Sequence, residues 1–401
     1  MTAKETIRHS SAIVTDPMQV RIDAALNSAI EDKRLVGAVV LVARRGEITY
    51  RNAVGLADRE AALPMRTDAL FRLSSVTKPI TSAAALALVA QGRIGLDDPI
   101  ARWLPEFQPT LADGTRLSIS VRQLLSHTAG LGYGFLEGTD GGAYARAGVC
   151  DGLENAPLTL EENIRRLATA PLLYRPGTDW GYSIATDVLG ALIAKVWGAS
   201  LADAINQLVC EPLGLSDTRF NVVDTSRLTA AYLNADPAPR RMNGIEVIEV
   251  FENTAGIRMD ADRALDSSAY HSGGSGMIGS AEEFLTLLET LRQGGGPLMP
   301  ANLVKEMGTV QTGNLELANW PGRGFGLGFT VLTDPQAAQA PESVGTWRLG
   351  GFWSFLVCRS GAANLRGGIH QHGLRGDVRT VHGRSVQRRI RRLNEANLLP
   401  R

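Results

Sequence analysis

The sequence predicts an α/β fold in which a sheet drawn from both ends of the chain is interrupted by a mostly helical middle. Two β-rich runs between residues 36 and 50 have the pattern of a hairpin. Residues 75–198 carry mostly helical patterns, and short segments with one strand-like run follow from about residue 215. A sheet built from both chain ends, with a helical insertion between them, accounts for this order.

The hairpin and the first long helix are predicted from local patterns. Two apolar, β-branched runs, residues 36–42 and 47–50, flank Arg44, Arg45 and Gly46, which indicates a tight turn. A helix is predicted over residues 75–91 because an Ala-rich apolar pattern runs as far as Gly92, and glycine commonly ends helices. This apolar stretch is shorter than the roughly 20 residues that a membrane helix needs, so we expect it to be buried.

Three further elements follow from similar patterns. Helices are expected over residues 187–197 and 281–292. A strand is expected over residues 325–332, where the chain alternates glycine with larger residues. Glycines on one face of a strand let another element approach closely, so we expect tight packing on that face.

Composition argues against several classes of protein. The chain carries 41 basic and 41 acidic residues, so no global charge favours a nucleic acid, a membrane surface or a highly charged substrate. Three scattered cysteines, Cys150, Cys210 and Cys358, are too few for a disulfide framework or a zinc site, and we expect free thiols. Residues 1–20 have no continuous apolar core of the kind found in secretory signals, which predicts a cytoplasmic enzyme.

The main chemical signal is Ser75, followed three residues later by Lys78 at the start of the first long helix. That spacing puts the hydroxyl and the amine on one face of the helix. A serine hydroxyl is a weak nucleophile that needs an adjacent base, and a lysine can be that base where its surroundings favour the neutral amine. The start of the helix also offers backbone N–H groups to negative charge that develops on the group under attack.

Tyr182 is the second candidate for chemistry, in the loop before the helix predicted to begin at Asp187. A phenol beside a cation can pass a proton, and Lys78 is the candidate cation. A loop tyrosine by itself is usually a packing residue, so this prediction depends on Tyr182 lying close to Ser75 and Lys78.

Four segments, in order along the chain, resemble the serine β-lactamase-like superfamily. They are Leu73-Ser74-Ser75-Val76-Thr77-Lys78, Leu124-Leu125-Ser126-His127-Thr128-Ala129-Gly130-Leu131, Pro176-Gly177 with Tyr182-Ser183, and Gly273-Gly274-Ser275-Gly276-Met277. The chain most resembles the family VIII carboxylesterases, which share the fold of class C β-lactamases and penicillin-binding proteins. This resemblance runs from about Asp23 to Gly351. It implies a β-lactamase-like fold, with an antiparallel sheet flanked by helices and a mostly helical domain.

The resemblance also implies roles for single residues. Ser75 would be the nucleophile, Lys78 its activating neighbour, and Tyr182 the relay that passes a proton to the leaving alkoxide. An acyl-enzyme would form on Ser75 and be cleared by water. The backbone N–H groups of Ser75 and Phe352 would form the oxyanion hole. This mechanism needs no cofactor and no metal.

A third family motif lies on a strand beside the nucleophile, and it reads Lys-Thr-Gly in β-lactamases and usually Trp-Gly-Gly in the esterases. Here the corresponding residues are Leu349, Gly350 and Gly351, which are expected to contact the substrate. β-Lactamases use that lysine to hold a substrate carboxylate. They also use an asparagine two residues after the tyrosine, where this chain has Ile184. Both differences favour neutral esters over β-lactam amides.

Other candidate residues have alternative interpretations. Tyr133 either lines the acyl pocket or is a surface tyrosine, and Trp347 and Trp353 either shape the pocket or pack in the core. His127 suggests a Ser-His-Asp triad, but no acid partner can be assigned, so we expect it to hold loop geometry. An α/β-hydrolase would need a Gly-x-Ser-x-Gly elbow, which the sequence lacks.

Beyond Gly351 the sequence departs from the family, whose members continue with two apolar strands and a long helix. Residues 352–401 are instead rich in glycine, histidine and arginine. One interpretation is a shifted reading frame near codon 352. The other is a divergent end in which Val386, Ile390 and Leu393 form one apolar helix face. Both interpretations predict that the sheet lacks the two strands.

The predicted organisation is a sheet domain of residues 1–80 and 220–401, a mostly helical domain of residues 81–219, and an active site in the cleft. The predicted function is that of a serine carboxylesterase that hydrolyses short-chain, small-molecule esters, with no nucleic-acid or membrane partner. One alternative is an amide hydrolase of the same superfamily: a β-lactamase, a D-aminopeptidase or an amide-oligomer hydrolase. The other alternative is an inactive relative.

Overall fold

The computed structural model of the protein describes residues 16–317, 319–351, 354–359 and 364–370. The strands in these ranges are β1 (Gly37–Arg44), β2 (Glu47–Asp58), β3 (Leu63–Pro64), β4 (Leu70–Arg72), β5 (Tyr232–Leu233), β6 (Arg240–Arg241), β7 (Ile245–Ile248), β8 (Ile257–Asp260), β9 (Ile278–Ser280), β10 (Arg323–Phe325), β11 (Thr330–Leu332), β12 (Thr346–Gly351), β13 (Ser354–Arg359) and β14 (Asn364–His370). Eight of them form one antiparallel sheet in the order β10-β11-β12-β13-β14-β1-β2-β3.

The helices lie mostly between the two groups of strands in the sequence. They are α1 (Pro17–Glu31), α2 (Thr77–Ala90), α3 (Val121–Leu125), α4 (Ala143–Ala147), α5 (Leu160–Leu167), α6 (Ala185–Trp197), α7 (Leu201–Ile205), α8 (Glu211–Leu213), α9 (Ala281–Arg292) and α10 (Ala301–Met307). The α2 helix packs against α6, while α9 packs against β1, β13 and β14 of the sheet.

The sheet joins the two ends of the described chain. Strands β1 to β3 come from its N-terminal part and β10 to β14 from its C-terminal part, and β14 pairs with β1 from Ala38↔His370 to Arg44↔Asn364. This arrangement of helices and an antiparallel sheet confirms the predicted α/β fold class. The domain boundaries at residues 80 and 220 stay predictions.

The predicted hairpin and first helix are confirmed. The β1–β2 turn has two residues in the left-handed region, Arg45 with a φ of 54° and Gly46 with a φ of 90°, as tight hairpin turns require. The predicted helix over residues 75–91 consists of a 3₁₀ turn, Ser74–Val76, that leads into α2. Gly92, with a φ of 68°, follows the end of α2.

The prediction of a single strand over residues 325–332 is wrong, because this segment forms a hairpin. Strand β10 ends at Phe325, Gly326 N donates to Phe329 O at 2.8 Å, and the chain returns as β11. Gly328 has a φ of 100°, which is incompatible with a continuous strand. The expected close approach is confirmed, since a Cβ on Gly328 would lie 2.5 Å from Ser82 Oγ.

The prediction that the sheet would lack strands after Gly351 is also wrong. Strands β13 and β14 fill the position between β12 and β1. Backbone N–H and C=O groups form the ladder whatever the side chains, and without these strands β12 and β1 would each expose an unpaired edge. The predicted helix face of Val386, Ile390 and Leu393 lies outside the described residues.

The α2 helix lies in the main core, and its apolar side chains from Ile80 to Leu88 are at most 1% exposed. A helix that is apolar all round is expected at such a buried position. Among the described helices, none by itself is long and apolar enough to cross a membrane. The adjacent pair Ala185–Trp197 and Leu201–Leu213 meets the length and composition criteria together, but bends by 81°.

Cys150 and Cys210 are free, buried thiols, as predicted. Burial raises the pKa of Cys150 to about 11 and that of Cys210 to about 12. Thiols with raised pKa values are poor nucleophiles at neutral pH, so neither competes with Ser75 as a candidate nucleophile. The side chain of Cys358 lies outside the described part of the structure.

Candidate active site

Ser75 lies in the 3₁₀ turn that joins β4 to α2. The turn is held in place because β4 pairs with β9, and because Leu73 N donates to Met277 O at 2.9 Å. Ser74 has a φ of 46°, in the left-handed region, which costs a non-glycine residue roughly 1–2 kcal/mol. Such strain is often found at functional sites, where the surrounding structure fixes the backbone. Ser75 is thereby held in one position with 7% of its surface exposed.

Lys78 is the second residue of α2 and is only 1% exposed. Its Nζ donates to Ser75 Oγ at 3.4 Å and to Gly274 O at 2.9 Å. The same Nζ lies 4.7 Å from the centroid of the Tyr182 ring. The structure therefore brings Ser75, Lys78 and Tyr182 together, in the arrangement that the sequence predicted.

The loop that carries Tyr182 is anchored on both sides. Gly181 N donates to His127 O at 3.1 Å, and Ile184 N donates to Gly132 O at 3.0 Å. Both acceptors belong to the segment that follows α3, so the loop lies along that segment before α6 begins. These backbone contacts fix the position of the phenol independently of its own hydrogen bonds.

His127 supports this loop and is 2% exposed. Its Nδ1 shares a hydrogen bond with Ser183 Oγ at 3.1 Å, and its ring lies 5.0 Å from the Tyr182 ring. Burial, and then the charge of Lys78, hold the pKa of His127 well below its ordinary value, so the ring is neutral at pH 7. A neutral imidazole that is hydrogen-bonded to Ser183 fits the expected role of holding loop geometry better than a role in a catalytic triad.

Sequence reasoning missed Asp187, a buried carboxylate in the first turn of α6. Its Oδ1 accepts hydrogen bonds from Gly274 N at 2.6 Å and Ser272 Oγ at 2.8 Å, and its Oδ2 accepts one from Tyr270 OH at 3.3 Å. Burial raises the pKa of Asp187, while the hydrogen bonds from Ser272 and Gly274 and the charge of Lys78 oppose the rise. The available sequence signal was an acidic residue at the start of a mostly apolar helix.

Tyr133 is buried, with 3% of its surface exposed, so the interpretation as a surface tyrosine is wrong. Its ring lies 4.7 Å from that of Phe135 and 5.6 Å from that of Tyr182, and Lys78 Nζ lies 5.5 Å from its centroid. Burial raises the pKa of the phenol well above its ordinary value. Tyr133 therefore packs behind the candidate catalytic groups, and its contact with an acyl group stays a prediction.

The third predicted motif lies at the end of β12, where Leu349, Gly350 and Gly351 are the last three strand residues. Strand β12 contacts the 3₁₀ turn of Ser75, so the motif is on a strand beside the candidate nucleophile. The Leu349 side chain is only 3% exposed. Phe352, the predicted second donor of the oxyanion hole, lies outside the described residues.

Trp347 packs in the core. It is 3% exposed, and its ring stacks at 5.4 Å on that of Phe329. Of its two interpretations, core packing is thus correct. Trp353 lies outside the described residues.

A group of aromatic side chains that sequence reasoning did not identify lies beside Tyr182. We call Trp180, Trp320 and Phe325 the aromatic wall. The Trp320 ring lies 5.6 Å from Tyr182 and 5.3 Å from Trp180, and the Trp180 ring lies 5.8 Å from Phe325. Tyr182 and Trp320 are both half-buried, so the wall presents apolar surface next to the candidate proton relay. Trp320 is distant from Tyr182 in sequence, so only the fold reveals the contact.

Comparison with known proteins agrees with this geometry. The family profile described as Beta-lactamase matches residues 14–376. The chain belongs to the beta-lactamase family. The matched region contains the motifs at Ser75, His127 and Tyr182.

The similar proteins include esterases of this family. The chain is 45% identical over 363 residues to esterase EstB of Burkholderia gladioli, which covers 90% of this chain and 92% of EstB. The solved structure of EstCE1, described as a hydrolase with promiscuous acyltransferase activity, matches with a TM-score of 0.85 and 39% identity. That match covers 93% of this chain and 97% of EstCE1. A penicillin-binding protein homologue from Pyrococcus abyssi, at 17% identity and a TM-score of 0.67, shows the shared fold alone.

These likenesses place this beta-lactamase family chain among the family VIII carboxylesterases. The sequence-based prediction of a serine hydrolase of the carboxylesterase type is confirmed at that level. The roles of individual residues stay predictions.

Proposed function

We propose that this serine carboxylesterase hydrolyses small, short-chain esters through an acyl-enzyme on Ser75. The observation that carries the proposal is the position of Lys78 Nζ, 3.4 Å from Ser75 Oγ and 4.7 Å from the Tyr182 ring. The esterase relatives support the substrate class. Ser75 is the nucleophile, Lys78 is the base, and Tyr182 is the relay to the leaving group.

In the acylation step, Ser75 Oγ forms a bond to the ester carbonyl carbon while Lys78, as the base, takes the hydroxyl proton. The carbonyl oxygen becomes an oxyanion, for which the N–H groups of Ser75 and Phe352 are the proposed donors. Collapse of this intermediate breaks the bond to the alcohol oxygen. Tyr182 gives that oxygen a proton and recovers one from Lys78, so the alcohol leaves neutral. Water then attacks the acyl-enzyme by the reverse of these proton transfers and releases the acid.

Ester rather than amide turnover is supported by the residues that surround this machinery. Ile184 is buried and apolar at the position where β-lactamases have an asparagine, and the apolar Leu349 replaces their lysine. The aromatic wall lies beside Tyr182, where the leaving alcohol would be protonated. An apolar surface there favours a neutral alcohol over the carboxylate of a penicillin or cephalosporin.

A paired substrate test separates the proposed function from its alternatives. We expect the kcat/KM for p-nitrophenyl butyrate to exceed that for opening of a chromogenic cephalosporin by at least about 100-fold, a difference near 2.7 kcal/mol in barrier. The Ser75→Ala variant gives the blank rate. A cephalosporin rate equal to the ester rate would favour the amide hydrolase. No turnover of either substrate by a folded sample would favour the inactive relative.

Removal of the Tyr182 hydroxyl is expected to slow alkyl esters more than aryl esters. Tyr182→Phe keeps the ring beside Lys78 and Trp320, so the fold should be unchanged. General acid catalysis contributes about 10²–10⁴-fold, and an ethoxide needs that proton far more than a p-nitrophenolate does. Steady-state kinetics on ethyl and p-nitrophenyl butyrate would measure the difference. Equal losses on both esters would contradict a role in leaving-group protonation.

A further inference from the structure

We infer that Asp187 is a positioning residue for Lys78, acting through the backbone of Gly274. The inference rests on the proposed role of Lys78 as the base. Asp187 Oδ1 accepts a hydrogen bond from Gly274 N at 2.6 Å, and Gly274 O accepts one from Lys78 Nζ at 2.9 Å. One residue therefore connects the buried carboxylate to the amine that faces Ser75.

The space around Gly274 is tight on the side of Asp187. A Cβ at this position would lie 3.1 Å from Asp187 Oδ1, 3.4 Å from Tyr133 OH and 3.5 Å from Lys78 Nζ. The backbone is thus enclosed between the carboxylate and the amine. A shift of the carboxylate would move the carbonyl oxygen that holds Lys78.

The segment around Gly274 is docked on α2 at two successive carbonyl groups. Thr81 Oγ1 donates to Gly273 O at 2.7 Å, one helical turn from the contact between Lys78 and Gly274 O. On its other side the segment is held by Asp187, which also accepts from Ser272 Oγ at 2.8 Å. The segment is therefore clamped between α2 and α6, and Thr81 holds it even when the carboxylate is changed.

Asp187 also links the base to the helix that follows Tyr182. Asp187 lies in the first turn of α6, where a negative charge is stabilised by the free N–H groups of the helix start. The other ionisable groups that influence it are Lys78 on α2 and Arg263, together with Tyr270, whose hydroxyl donates to Oδ2 at 3.3 Å. These contacts tie the carboxylate to α2, to α6 and to the segment around Gly274.

Replacing Asp187 with alanine tests the inference, because it removes the carboxylate oxygen that accepts from Gly274 N. We expect kcat/KM for p-nitrophenyl butyrate to fall at least about tenfold, with KM changed by less than about threefold. Asp187→Asn keeps an acceptor oxygen for Gly274 N and should restore kcat/KM to within about threefold of wild type. A loss caused by misfolding alone would lower the folded fraction rather than the kcat of the folded enzyme.

Ser272→Ala is the matched control, since it removes one donor to the same oxygen and leaves the Gly274 contact. It should keep kcat/KM within about threefold of wild type. The inference fails if Asp187→Ala stays within that range, or if Asp187→Asn loses as much activity as Asp187→Ala. It also fails if Ser272→Ala costs as much as Asp187→Ala.

Gly274→Ala gives an independent test should Asp187→Ala not fold. Its methyl group would lie 3.1 Å from Asp187 Oδ1, closer than a Cβ normally approaches, and should displace the carboxylate from Gly274 N, so kcat/KM should fall at least about tenfold with little change in KM. A wild-type rate for Gly274→Ala would overturn the inference. The proposed function is tested separately, by an active wild-type enzyme beside an inactive Ser75→Ala variant. That result would stand even if the inference about Asp187 failed.

Discussion

Replacing Ser75 with alanine is expected to abolish ester turnover and leave the fold intact. Without Oγ no acyl-enzyme can form, and removal of a catalytic serine costs up to about 10⁶-fold in kcat in a serine protease. We expect a loss of at least about 10⁴-fold here. The free energy of unfolding should change by about 1 kcal/mol or less, because the deleted atom makes one long hydrogen bond, at 3.4 Å to Lys78. Initial rates on p-nitrophenyl butyrate and a urea titration would measure both quantities.

The neighbouring Ser74 provides a matched control in the same 3₁₀ turn. Its Oγ is buried and has no hydrogen-bond partner among the described residues. Ser74→Ala should therefore keep kcat/KM within about tenfold of wild type, a loss below about 1.4 kcal/mol in barrier. An active Ser75→Ala variant beside an inactive Ser74→Ala variant would show that the nucleophile has been assigned to the wrong serine.

Replacing Lys78 with methionine is expected to cause the second largest loss. Methionine has a similar length and fills the same buried space, so the core stays packed while the base is removed. Loss of a positioned base costs about 10²–10⁴-fold, and we expect kcat/KM near the upper end of that range because Lys78 contacts Ser75 directly. Single-turnover kinetics with p-nitrophenyl butyrate would show whether the loss lies in acylation.

Two lysine variants complete this test. Lys78→Arg keeps a positive charge but cannot take up a proton at neutral pH, so it should be as inactive as Lys78→Met. Lys195→Met changes an exposed lysine near the end of α6 and should keep wild-type kinetics. Substantial activity in Lys78→Arg would mean that Lys78 acts by its charge alone, which contradicts its role as the base.

Local sequence patterns were sufficient for part of the site. The three-residue spacing of Ser75 and Lys78 places both groups together through helix geometry alone, and the structure gives 3.4 Å between their polar atoms. Two residues in its turn, Arg45 and Gly46, likewise predict the hairpin of β1 and β2. These features depend on neighbours in sequence, so periodicity and turn chemistry predict them.

Features that depend on tertiary contacts were missed. Asp187 and Gly274 are far apart in sequence and meet only because α6 packs beside α2. Trp320 reaches Tyr182 from a loop before β10, and nothing in its local sequence indicates that contact. Such pairings follow from the packing of whole elements, which one sequence does not specify residue by residue.

The C-terminal half of the sheet shows a different reason for error. The prediction that strands would be lost after Gly351 was drawn from side-chain composition, yet β13 and β14 pair with their neighbours through the backbone. The alternating glycines from β10 to β11 predict one strand, whereas Gly328 supplies the positive φ of a turn. Glycine occurs both on tightly packed strands and in turns, so a pattern of glycines alone does not distinguish the two structures.

Ser75 is the proposed site of acylation, and the mass of the enzyme during turnover shows which residue carries the acyl group. The protein would be mixed with p-nitrophenyl butyrate, quenched in acid while substrate remains, and measured intact and after digestion. We expect one added butyryl group on the peptide that contains Ser75, and none in Ser75→Ala. A butyryl group on another residue, or the same adduct in Ser75→Ala, would contradict it.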